Sequence, residues 1–347
     1  MPIIPPPSMN ASRQVAIRQA WLDQHHEPIL DPDLPILDPH HHIWEHADER
    51  YLLDDLLRDT ATGHDIRASV FVQCASKYDM DADPARRPLG ETRFMARLAE
   101  QSATRATLAC AGIIGMVDLT LGDRVVPLLE EHVAISAGRF RGVRNRTAWD
   151  PSPEVRSNLE SPAPGPLARP EFQEGARRLA KLGLTLDVWA YHPQLPDVLA
   201  VARAAPGLTL VVNHCGGPLG VGPYRRAEVF PVWRVSLAAL AACPNVVMKI
   251  GGLTMQVGGL DFHHRAVPPG SETLAAAWRP YVETCIELFG AGRCMFESNF
   301  PVDKGMCSYP VLWNAFKRLA AGASATERTA LFSGTASRVY RLPLTPA

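Results

Sequence analysis

The chain has 347 residues, 46% of them hydrophobic and 20% charged, with 35 Lys and Arg against 36 Asp and Glu, a formal net charge of −1. This composition excludes a disordered or fibrous chain and gives no long-range attraction to nucleic acid or an anionic membrane surface. Proline is abundant, at 31 residues, which suits many rigid loops. No run of 18 apolar residues offers a membrane span, and the opening MPIIPPPS lacks the basic and apolar regions of a secretory leader. A soluble, cytoplasmic protein is therefore expected. The seven cysteines are scattered without a CxxC pair and read as buried thiols, not as disulfides or metal ligands.

Residues 1–35 read as a proline-flanked extension with a helix over 11–24. From 36 to 347, short apolar runs alternate with amphipathic helical patterns. The runs cover 36–43, 68–73, 109–117, 140–145, 184–189, 208–213, 246–250 and 294–298, and helical patterns include 90–101, 125–137, 172–182, 232–242 and 273–289. Eight such units predict an α/β protein, a single (β/α)8 TIM barrel. A doubly wound sheet would carry fewer strands and a glycine-rich first turn. The long loops 150–170 and 255–270 follow the fourth and seventh runs, on the side where barrels build their active sites.

Most residues suited to chemistry lie at the ends of these runs. Asp38-Pro39-His40-His41-His42 closes the first, and strand alternation puts Asp38, His40 and His42 on one face. Two imidazoles so placed bind one divalent ion or polarise one carbonyl; the plainer alternative is a polar loop. Gln73 ends the second run as a substrate donor or a structural hydrogen bond. In the fourth, Arg144 and Arg146 share a face, a pair suited to gripping a carboxylate bidentately or to forming structural ion pairs. His192 follows the fifth run, as a metal ligand or a loop hydrogen bond, and His214 ends the sixth. Lys249, late in the seventh, suits either an oxyanion or a buried ion pair. His263 and His264 lie in the loop after it, where His264 reaches the substrate or both stay at the surface. His25 and His26 read as solvated.

Together, DPHHHIW, the segment Val212-Asn213-His214-Cys215-Gly216-Gly217-Pro218 and Met295-Phe296-Glu297-Ser298-Asn299-Phe300-Pro301 resemble the signatures of the amidohydrolase superfamily. Within it they are most similar to the branch of lactonases and decarboxylases that includes fuconolactonase and pyrone-dicarboxylate lactonase. The resemblance implies that His40 and His42 are the first-strand pair and His214 the sixth-strand histidine. It also implies one divalent ion, zinc or manganese, or metal-independent action. Where relatives commonly carry Asp before the aromatic residue and proline of the eighth strand, this chain has Asn299, which cannot take a proton from water. Three carboxylates are candidates to replace it. Asp303, four residues on, is favoured. Glu297 shares the face of Asn299 but is otherwise a buried partner for Lys249, and Asp38 otherwise orients a neighbouring histidine.

The expectation is a hydrolase that opens a lactone or similar cyclic ester of a small carboxylated molecule. Asp303, His214, His40 and His42 would be catalytic, with His40, His42, His214 and Glu297 as metal ligands. Arg144, Arg146, Lys249, Gln73, His264 and Asn299 would contact substrate. The rivals are a nonhydrolytic lyase, either a decarboxylase or a hydratase, and a barrel that only binds. No nucleic-acid or membrane partner is expected, and a homodimer is the default assembly.

Overall fold

In the computed structural model, which describes residues 14–45, 49–155 and 162–343, the eight apolar runs are eight parallel strands. They are β1 Ile36–His41, β2 Ile66–Val72, β3 Leu108–Gly115, β4 Phe140–Arg146, β5 Thr185–Trp189, β6 Leu210–Val212, β7 Val246–Ile250 and β8 Cys294–Phe296, paired in chain order. The strands are buried almost throughout, which is why they read as continuous apolar runs and not as alternating ones. The ring closes just past β8. There the Asn299 N–H donates to the His40 carbonyl at 2.9 Å, and the His42 N–H to the Phe300 carbonyl at 2.7 Å. The fold is a (β/α)8 barrel.

Two apolar layers hold it. Inside the strands, Leu37, Val70, Val72, Val211, Val247 and Met295 pack with Val339 and Tyr340 from the last helix, Thr335–Tyr340, which plugs one end. Outside, the other strand faces pack against helices through Trp233, Trp278 and Trp313. Burial of so much apolar surface is the main stabilising term, at roughly 25 cal/mol per Å².

Helix boundaries depart from the sequence patterns in two places. Helix 226–241 starts earlier than the expected 232, with Pro231 inside it, because the buried stripe Val229, Trp233, Leu237, Leu240 already runs at helical spacing through the proline. Near the N-terminus the helix is only Gln19–Leu22; residues 11–13 of the expected helix lie outside the described residues. The extension is strapped to helix Tyr309–Leu319, where Asn314 donates to the Pro28 carbonyl at 2.9 Å and Lys317 to those of Leu30 and Asp31 at 2.8 and 2.7 Å. Among the described residues no helix is long and apolar enough to cross a membrane.

Candidate active site

The floor of the site is a buried charge network. Lys249, on β7, lies 2.7 Å from Asp187 of β5, both fully buried. Asp187 also accepts from Asn213 at 2.9 Å and from the Tyr340 hydroxyl at 3.1 Å. Lys249 therefore pairs with Asp187 and not with Glu297, and its ammonium lies 3.5 Å from His40 Nδ1. Removing one partner strands the other charge without water, so Lys249→Met should lower unfolding free energy by about 3–5 kcal/mol in urea titrations. A change below ~1 kcal/mol would show the pair to be dispensable.

Above the floor stand three imidazoles. Leu37 belongs to the inner layer while Asp38 bonds outward to the Tyr309 hydroxyl at 3.0 Å. The pairing of β1 with β2 shifts register between Asp38 and His41, and this bulge returns His40 and His42 to the interior. Asp38 therefore does not share their face as simple alternation suggests. It accepts from the backbone N–H of His40 and of Ser298 at 3.3 and 3.0 Å and so braces the turn, not a ring. Burial, opposed by the bonds from Ser298, raises its carboxyl to about 6.

Glu297 joins two of the rings. Its Oε1 accepts from His214 Nδ1 at 2.7 Å and from the His214 N–H at 3.1 Å, and its Oε2 lies 2.7 Å from His40 Nδ1. A ring nitrogen that close to a carboxylate oxygen carries its proton, and in the neutral His40 ring this leaves Nε2 as a lone pair. His42 is fixed likewise, its Nδ1 donating to the Val72 carbonyl at 2.7 Å. Burial first, then neighbouring cations, holds His40 and His42 well below the ordinary histidine range, so both are neutral. His40 Nε2 and His42 Nε2 are 3.3 Å apart. Two ligands about 2.0–2.1 Å from a tetrahedral zinc are about that far from each other, so the donor pair fits one divalent ion. His40, His214 and Glu297 also place a potential ligand atom each within 4.8 Å of one another.

Backbone geometry makes this cluster possible. His214 and Cys215 both have φ in the left-handed region, at 53° and 54°. Gly252 has φ +62°, and a Cβ there would stand 2.5 Å from His214 Nδ1, so only glycine lets the β7 loop pass the ring.

Arg144 approaches from β4, with one guanidinium nitrogen 3.4 Å from His40 Nε2 and another donating to the Gln73 carbonyl. Burial lowers it to about 10, which leaves it cationic at neutral pH. The Gln73 amide is engaged with the Tyr78 hydroxyl at 2.9 Å. Arg146 is half-buried and lines an open recess of about 290 Å³ with Asn145, Thr147 and Arg169. On the β8 side, Asn299 Nδ2 donates to Asp303 Oδ1 at 2.9 Å, and Thr254 lies beside the same carboxylate. Burial pushes the Asp303 carboxyl up to about 7 against the pull of Thr254 and of the Asn299 amide, with Glu297 nearby adding to the rise.

The other histidines singled out in the sequence, His192, His263, His264, His25 and His26, stand apart from this cluster. His192 accepts from the Leu219 N–H at 3.4 Å and packs on Tyr224, a loop hydrogen bond. His263 and His264 stack on each other at 3.9 Å, and Arg18 binds the His263 carbonyl. His25 pairs with Glu27 at 3.2 Å, and His26 is exposed. Two participants escaped the sequence reading. Tyr340 carries no local signal there because only the fold brings the last helix beneath β5. Glu91 begins the helix after β2 and accepts from the N–H groups of Cys74 and Ser76 at 3.1 and 2.8 Å; burial raises it to about 7.

Three strand-end histidines around one buried carboxylate, at one end of a barrel, are what the first-, sixth- and eighth-strand motifs imply. A profile of the amidohydrolase family matches residues 37–342. The chain belongs to the amidohydrolase family. This amidohydrolase is 32% identical to an uncharacterised protein, y4mH, of Sinorhizobium fredii over 333 residues, 89% of this chain and 99% of that one. It is 29% identical to an L-fucono-1,5-lactonase of Burkholderia multivorans over 326 residues, 88% of this chain and 96% of that one. A zinc-bound crystal structure of an amidohydrolase from Burkholderia multivorans superposes with a TM-score of 0.66 at 27% identity, covering 89% of this chain and 99% of that one.

Proposed function

We propose that this amidohydrolase opens a lactone or similar cyclic ester of a small carboxylated molecule by water attack. The observation that carries the reading is the buried set His40, His42, His214 and Glu297 beside a buried carboxyl, Asp303, raised to about 7. Asp303 takes a proton from water as its oxygen bonds to the lactone carbonyl carbon. The ring C–O bond then breaks, and Asp303 returns the proton to the departing alkoxide. Asn299 orients Asp303 throughout, in the place where relatives carry the carboxylate itself.

The tautomers restrict how the carbonyl oxygen is stabilised. With Nδ1 protonated and the rings neutral, His40 and His42 present lone pairs and cannot donate to an oxyanion at Nε2. Their chemistry suits holding a cation, and the Arg144 guanidinium supplies the chain's own positive charge at that point. A divalent ion held by His40 and His42, with His214 and Glu297 alongside, would polarise the carbonyl as a Lewis acid. Arg146, in its recess, is placed to hold a substrate carboxylate.

The test is to offer δ-lactones, with and without a carboxylate, in oxygen-labelled water, using protein of known metal content. Label in one carboxylate per turnover, with activity lost on chelation and restored by zinc or manganese, is expected. Release of carbon dioxide without label would assign the chain to the lyases, and ligand binding without turnover would leave it a binding barrel.

A further inference from the structure

The ends of β4 to β8 pool apolar side chains into a roof at the end of the barrel that carries the histidines. Trp189, Tyr191, Leu219, Met255 and Val257 form one buried cluster, with Val302 packed against it from the β8 loop. Trp189 stands edge-on to the His214 ring at 4.7 Å. The space beside His214, lined by Trp189, Leu253, Met255 and Val257 with Arg226 and Tyr281 at its edge, is about 20 Å³, room for about one water. A lactone entering here displaces roof side chains and packs against them.

Several polar groups around the roof are engaged within the protein, while Arg226 is tied down through Nε alone. The Tyr224 hydroxyl donates to Asp150 at 2.6 Å. Gln194 accepts from Trp149 and Tyr191, both at 3.1 Å, and donates to the Thr147 carbonyl. The Thr147 hydroxyl donates to the Trp189 carbonyl at 2.8 Å, and Arg226 to the Tyr281 hydroxyl at 3.3 Å. The buried polar side chains Asn299, Asp303 and Thr254 lie on the β7 and β8 loops beneath it. A substrate hydroxyl pressed against Trp189, Met255 and Val257 would lose water for few partners in return, whereas an aromatic or alkyl face would bury apolar area.

Resting on the lactonase reading, we infer that the lactone this site receives has an apolar, ring-bearing body and not the polyhydroxylated body of a sugar lactone. Its ester faces Asp303 and the histidines, and its hydrocarbon face meets Trp189, Met255 and Val257.

Two uncharged δ-lactones of similar size separate the alternatives: 3,4-dihydrocoumarin, fused to a benzene ring, and L-fucono-1,5-lactone, which carries hydroxyls. The metal-loaded protein is expected to show kcat/KM at least about tenfold higher for the aryl lactone. Met255→Gln with Val257→Thr, which sets polar groups into the roof, should narrow that ratio at least threefold, chiefly through KM. Equal or faster opening of the sugar lactone overturns the inference and leaves the lactonase reading intact. If neither lactone opens, calorimetry with the ring-opened acids, which carry the carboxylate, decides the pocket separately from the lactonase reading. Binding of 3-(2-hydroxyphenyl)propionate about tenfold tighter than L-fuconate supports the apolar site; equal or weaker binding rejects it.

Discussion

Replacing Asp303 by asparagine is expected to lower kcat/KM for lactone opening by about 10²- to 10⁴-fold, the usual contribution of a positioned general base. The amide keeps the volume and still accepts from Asn299 Nδ2, so the loss isolates proton transfer. The pH profile gives a second reading. Asp303 works ionised and its carboxyl is pushed up to about 7, so the parent's kcat/KM should climb through about pH 7, a limb absent from the variant's residual rate. Stability should move the opposite way. Between its ordinary unfolded value near 4 and about 7, the group is ionised in the unfolded chain but protonated in the folded one. The folded state binds more protons, so raising the pH across this window withdraws stability. Asp303→Asn should therefore melt higher than the parent at pH 8, with the gap closing toward pH 4. A variant that keeps full rate, or whose melting difference is independent of pH, removes Asp303 from the proposed role.

That opposition between stability and rate bears on what a sequence can reveal. The eight strands were legible because parallel strands covered on both faces must be apolar throughout, a constraint written locally at each run. His40, His42 and His214 were legible for a similar reason, each lying at a strand end that the barrel turns toward one face. The partners of these residues were not. Glu297 bridges His214 and His40 across the barrel, and Lys249 finds Asp187 on β5, contacts that depend on register and on which strand lies opposite. The bulge that turns Asp38 outward defeats the alternation rule, since one extra residue reverses every face beyond it. The brace from Tyr340 to Asp187 spans the chain from β5 to its last helix, a distance over which no periodicity carries information.

Replacing Glu297 by glutamine is expected to lower kcat/KM by about 100-fold or more and to lower bound metal in parallel. Removing the group that orients one metal-binding imidazole typically costs about 10–100-fold, and Glu297 holds two. A single proton decides the effect. The glutamine carbonyl can still accept from His214 Nδ1, but its amide then faces His40 Nδ1, where two donors meet. His40 relieves the conflict by moving its proton to Nε2, the atom that lies 3.3 Å from His42 Nε2 and 3.4 Å from Arg144. The lone pair that would hold a cation is lost, and a new N–H confronts a guanidinium. Glu297→Asp keeps the charge but withdraws it by one methylene, and should fall between the parent and the glutamine variant in both metal content and rate. If Glu297→Gln bound metal at the parent's stoichiometry and turned over at the parent's rate, the carboxylate would be a packing feature of the barrel, and the tautomers assigned to His40 and His214 would be wrong.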